Sequence, residues 1–99
     1  MGLTRYDEQY GAPEVRKAVN RAVEDGWVIS SVKANPKRGE SEGLFALYKV
    51  GMTASEYVRC AEAYPTRKVR GIDCLCWDLV RGLITLAPPS RQVHLAAML

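Results

Sequence analysis

Cys60, Cys74, Cys76 and His94 are the residues of this chain whose side chains could ligate a metal or attack an electrophile. The Cys-x-Cys spacing of 74 and 76 argues against a shared zinc ion, because positions two apart on a helix point about 200° away from each other. A nucleophilic cysteine needs an adjacent base, and the single histidine stands near the end of the chain in a segment that reads as a strand. Glu24 and Asp25 close a helical pattern and read as solvated, and no Gly-rich phosphate loop, paired-carboxylate site or Ser-His-Asp set is present. No enzymatic activity, metal or cofactor is therefore expected. The remaining chemistry is charge. Residues 66–70 read TRKVR, which puts Arg67, Lys68 and Arg70 where a helix begins. A helix start already carries partial positive charge, so each cation there costs a few tenths of a kcal/mol up to about one. A phosphate would compensate for that crowding, and Asp73 and Asp78 could also balance it locally.

The elements that must position these groups follow from composition and periodicity. Ninety-nine residues, 47% hydrophobic and 25% charged, with a net charge of +3, fit one ordinary globular domain that is mildly basic. No apolar run approaches a membrane span, and residues 1–11 lack the apolar core of a signal peptide. A cytoplasmic protein without disulfides is the expectation.

Residues 1–11 read as a loose lead-in. Pro13 suits a first helical position, and Val15, Ala18, Val19, Ala22 and Val23 predict one buried face of a helix over 13–25 that Gly26 terminates. WVISSVKA and GLFALYKV, separated by the turn formers NPKRGESE, predict a β-hairpin with strands near 27–34 and 43–50. Its tip carries Lys37 and Arg38 beside Glu40 and Glu42. Thr53 and Glu56 form a capping box, with Met52 and Tyr57 as its hydrophobic staple, and Tyr57, Cys60, Ala61 and Tyr64 line one helix face that ends at Pro65. A third helix runs from about Thr66 or Arg70 to Arg81, with Ile72, Cys76 and Leu79 inward. Gly82 and Leu83 then form a C-terminal stop. LITLA reads as a strand, PPSR as a turn and QVHLA as a return strand, with 97–99 frayed.

The expected fold is thus α+β, in the order α-β-β-α-α-β-β. From residue 53 to about 96 it resembles the winged helix-turn-helix superfamily. TASEYVRCAEA supplies the supporting helix, YPT the turn, RKVRGIDCLCWDLV the recognition-type helix and RGLITLAPPSRQVHLA the wing. Helix 13–25 would be the family's first helix, and the hairpin an insertion between its first and second.

The resemblance implies a small transcriptional regulator that binds double-stranded DNA through helix 66–81. Arg67, Arg70, Cys74, Trp77 and Arg81 would lie on the groove-facing side, Lys68 beside them would also bind DNA, and Thr66 of the turn and Arg91 of the wing would contact phosphate. So few cations imply a homodimer, which doubles the phosphate contacts. The alternative is a protein-interaction module or inhibitor that docks on a larger complex through the same face and the inserted hairpin. Trp77, Lys37 and Arg38 would then touch the partner. Trp77 is either such an exposed anchor or a residue covered by the hairpin.

Overall fold

The computed structural model describes residues 3–65 and 70–89. Among them are five helices and a two-stranded antiparallel sheet. Thr66, Arg67, Lys68, Arg91 and the expected return strand with His94 lie outside the described residues.

The lead-in is not loose: Arg5–Tyr10 form a helix, α1. Thr4 Oγ1 accepts from the Asp7 amide at 3.1 Å, and Asp7 Oδ2 accepts from the Thr4 amide at 3.2 Å. This is a capping box with Asp in place of the usual Glu or Gln, so two donors are satisfied reciprocally. Asp7 also receives the Arg16 guanidinium at 3.0 Å, which ties α1 to the next helix.

Helix α2 spans Pro13–Glu24 with Pro13 at its start, as expected. Its buried residues are Val19 and Ala22, whereas Val15 is 46% exposed and Ala18 is also exposed. Only the C-terminal half of its apolar stripe therefore enters the core. The helix stops as its sequence predicts. Gly26 adopts φ 78° and the Trp27 amide donates to the Ala22 carbonyl at 3.0 Å, the bond that closes a Schellman turn.

Strand β1, Val28–Val32, follows, but the expected hairpin with 43–50 does not form. β1 pairs antiparallel with β2, Ile84–Ala87, in the register Val28 to Ala87 and Val32 to Ile84. A bulge at Ser30 interrupts the ladder, and the Ser30 and Thr85 hydroxyls meet at 2.7 Å. The other edge of β1 is bonded by the chain just before the fourth helix. Ile29 N donates to Met52 O at 2.8 Å, and Ala54 N donates to Trp27 O at 2.9 Å. Part of the second predicted strand is a short helix, α3, Glu40–Phe45. Leu44, Phe45 and Tyr48 are buried, and their i, i+1, i+4 spacing fits a helical face as well as a strand. Glu40 and Glu42 in the first turn favour the helix through its dipole.

Helix α4, Ala54–Glu62, has the expected Thr53 cap, with Oγ1 accepting from the Glu56 amide at 3.0 Å, but not the reciprocal half of a capping box: the Glu56 carboxylate accepts from the Thr53 hydroxyl at 3.2 Å instead of from its backbone amide. Tyr57 and Ala61 are buried, but Cys60 is exposed and does not join that face. Helix α5, Gly71–Val80, begins after Arg70, and its close is the second Schellman turn. Gly82 takes φ 68° and the Leu83 amide donates to the Asp78 carbonyl at 2.9 Å. Gly71 allows α5 to press against α4, since a Cβ there would lie 2.9 Å from Val58 Cα. Tyr57, Ile29, Leu75 and Ile84 are the largest fully buried side chains, where α4, α5 and the sheet meet.

Candidate functional site

Helix α5 is the wall on which the site is built. It is the most apolar of the longer helices, yet it carries Asp73 and Asp78. Asp78 is 3% exposed and is the one buried charged residue among those described. A carboxylate there requires partners, because an isolated buried charge is strongly unfavourable. Tyr48 Oη donates to its Oδ2 at 2.7 Å, and Lys37 Nζ stands 2.9 Å from Oδ1. The Lys37 contact is an ion pair whose direction does not make a well-formed hydrogen bond to Oδ1. Lys37 is therefore not at a solvated tip, as the hairpin expectation required. It is turned inward, with Nζ 5.9 Å from the Phe45 ring and 5.8 Å from the Trp77 ring.

Tyr48 stacks on Tyr57 with centroids 3.8 Å apart and planes 5° from parallel. Burial pushes both phenols well above the ordinary tyrosine value, so both hydroxyls are neutral donors. Tyr57 is fully buried, yet its hydroxyl makes no well-formed hydrogen bond. Burial likewise raises the Cys76 thiol to about 11.

Tyr57, Asp78 and Lys37 line a cleft of about 550 Å³ between α1, α3, α4 and α5, with Tyr48 behind them. Tyr10, Phe45 and Trp77 form its aromatic wall, with Ser41, Cys74 and Asp73 beside them and Arg70 at the mouth. Arg70 Nε is 4.0 Å from Asp73 Oδ2, and the guanidinium side chain is 75% exposed. Tyr6 Oη donates to the other Asp73 oxygen at 2.7 Å, and that bond raises the Tyr6 pKa.

Lys37, Arg70, Cys74 and Trp77, predicted as two separate sets, thus line one cleft. Arg81 does not join them. Its Nη1 donates to the Gln9 and Trp77 carbonyls at 2.9 and 3.0 Å, and its guanidinium lies over the Trp77 indole. Arg38 is exposed next to Lys37. Trp77 is half-buried, and Tyr10 of α1 covers it at 5.7 Å where the expected hairpin would have been.

Sequence reasoning missed Tyr48, gave Tyr57 only a packing role, and set Asp78 to balance the cations at the start of α5, whereas it pairs with Lys37. One signal was available: Asp78 sits three residues after Leu75, inside the apolar run of a helix, where an acid must find a buried partner. Nothing in the local pattern identified that partner as Lys37, forty-one positions earlier. The cysteines are dispersed, with Cys60 exposed, Cys74 on the cleft wall and Cys76 buried, and none forms a disulfide. Among the described residues no three His, Cys, Asp or Glu side chains come together as a metal site, and no helix is long and apolar enough to cross a membrane. Comparison of the chain with protein-family models, with curated proteins and with solved structures gives no match.

Proposed function

We propose that this protein is a small nucleic-acid-binding protein of winged-helix-like organisation that engages double-stranded DNA as a homodimer. The observation that carries the reading is that Arg70, exposed at the mouth of the cleft, meets there the segment that carries Lys37 and Arg38. Lys37 and Arg70 both line the cleft, Arg38 is exposed beside the first, and the 66–68 run is contiguous with the second. The order α2, β1, α4, α5, β2 is also in keeping with the helix, strand, helix, helix, strand order of the superfamily, with α3 as the insertion. Phosphate at Arg70 and its neighbours would offset the positive charge gathered at the start of α5. Because Lys37 and Arg81 are engaged within the chain, one subunit offers few phosphate contacts, and pairing two subunits raises affinity at physiological salt.

The test is an electrophoretic shift of random duplex DNA at low and moderate salt. Binding that falls steeply with salt, and that Arg67→Ala with Arg70→Ala abolishes while thermal stability is kept, supports the reading; binding that the double variant leaves intact refutes it.

One observation favours the alternative of a protein-docking module. α1 lies over the Trp77 and Arg81 side of α5, which restricts how deeply that helix can enter a groove. A protein partner would then seat at the cleft mouth and on α3, with little change in affinity between the two salt conditions.

A further inference from the structure

We propose that the cleft receives a single amino-bearing nucleobase of an unpaired or extruded nucleotide, reads its hydrogen-bonding edge with Tyr57 and Asp78, and stacks it on the aromatic wall. The proposal rests on the nucleic-acid reading for the source of that nucleotide. Its grounds are the geometry of the cleft itself.

The volume of about 550 Å³ falls in the range of sites for small organic ligands, about 300–1,000 Å³. Its floor holds two buried polar atoms without a well-formed hydrogen bond, the hydroxyl of Tyr57 and Oδ1 of Asp78, the second of which is ion-paired with Lys37 and keeps a lone pair for another donor. The first is a donor and the second accepts only. A ligand edge that carries an N–H beside a ring nitrogen satisfies both, and carboxylates accept from exocyclic base amines in this way. Lys37 balances the Asp78 charge at 2.9 Å. The floor is thereby neutral overall, which suits an uncharged base and penalises a cationic ligand that would have to displace the lysine. Tyr10 and Trp77, half-buried on the wall, supply aromatic surface of the kind on which bases stack irrespective of sequence. Arg70, exposed at the mouth, has the planar donors that match a phosphate. A base inside a duplex must leave the stack to enter such a site, while an unpaired base pays little to do so.

The test uses the full chain carrying Trp27→Phe, so that Trp77 is the sole fluorescent tryptophan. Its emission is titrated with AMP, with purine riboside 5′-monophosphate, which lacks the amine, and with ribose 5-phosphate, which lacks the base. Labelled single-stranded and duplex DNA are followed in parallel by anisotropy. The expected result is saturable quenching by AMP, at least ten-fold weaker binding of the purine analogue, and weaker binding still of ribose 5-phosphate. Tyr57→Phe removes a hydroxyl that has no well-formed bond, so the variant should fold as well as the parent while binding AMP at least ten-fold more weakly.

Equal AMP affinity in Tyr57→Phe overturns the proposal, as does ribose 5-phosphate binding as tightly as AMP. DNA binding without AMP quenching leaves the nucleic-acid reading in place and removes the base site. AMP quenching that depends on Tyr57, without DNA binding, keeps the base site and removes the nucleic-acid reading.

Discussion

Asp78 shows how a single side chain can organise a site. Its carboxylate is held by a phenol and an ammonium from two segments that share no local periodicity with it. Truncation by Asp78→Ala leaves Lys37 and Tyr48 without their partner, and loss of one member of a buried pair costs about 3–5 kcal/mol. Urea denaturation should show a loss of that size; a loss below about 1 kcal/mol would mean that water replaces the carboxylate. Alkaline pH should weaken the fold through the same region. The Cys76 thiol, ordinarily 9.0, is raised by burial to about 11, and the phenols of Tyr48 and Tyr57 are raised above their ordinary 10.0. A group whose folded pKa lies above its unfolded one contributes stability that is complete below the unfolded value and lost as pH rises through the folded value. The melting temperature should therefore be level below pH 9 and fall between pH 9 and 11, and Cys76→Ala should make the first part of that fall shallower.

At the scale of the element, what could be read from the chain was its punctuation. AVEDGWVIS and DLVRGLITL share a helix, a glycine and an apolar strand, and each forms a Schellman turn that launches a strand. The two strands so launched are the two that pair. The Thr53 cap was equally legible, because a capping hydroxyl and its amide lie within one turn. Thr53→Ala should cost about 1 kcal/mol, measured as a shift of the denaturation midpoint with an unchanged slope. Gly71 is a different case. Alanine ordinarily favours a helix over glycine by about 1 kcal/mol, but here the methyl would overlap the Val58 backbone. Gly71→Ala should therefore destabilise by about 1–3 kcal/mol, the range for overpacking; a stabilised variant would show that α4 and α5 separate without cost. The second predicted strand failed because a short continuous apolar run also fits a helical face, and the positions before it, Gly39 and the acids that follow Gly39, suit a helix start.

At the scale of the whole molecule, the N-terminal helix and the sheet close the fold around α5. Tyr6 and Tyr10 pack at 4.7 Å with their rings tilted by 36°, Tyr10 packs on Trp77 and Arg81 reaches back to Gln9. Tyr10→Ala should uncover Trp77, seen as a red shift of its emission in the Trp27→Phe background, and should lower stability by about 1–3 kcal/mol. An unshifted spectrum would mean that α1 does not cover the indole in solution.

Local chemistry written in the sequence was enough to specify helices α2 and α4, both glycine stops, the onset of β1 and β2, and the excess of cations near residue 70, because each depends on residues within one or two turns of one another. Which strand β1 would choose, where Lys37 would point, and that Asp78, Tyr48 and Tyr57 would come together were decided by tertiary packing. Those outcomes depend on buried charge and unpaired backbone seeking partners tens of residues away, and only the closed fold sets which ones come within reach.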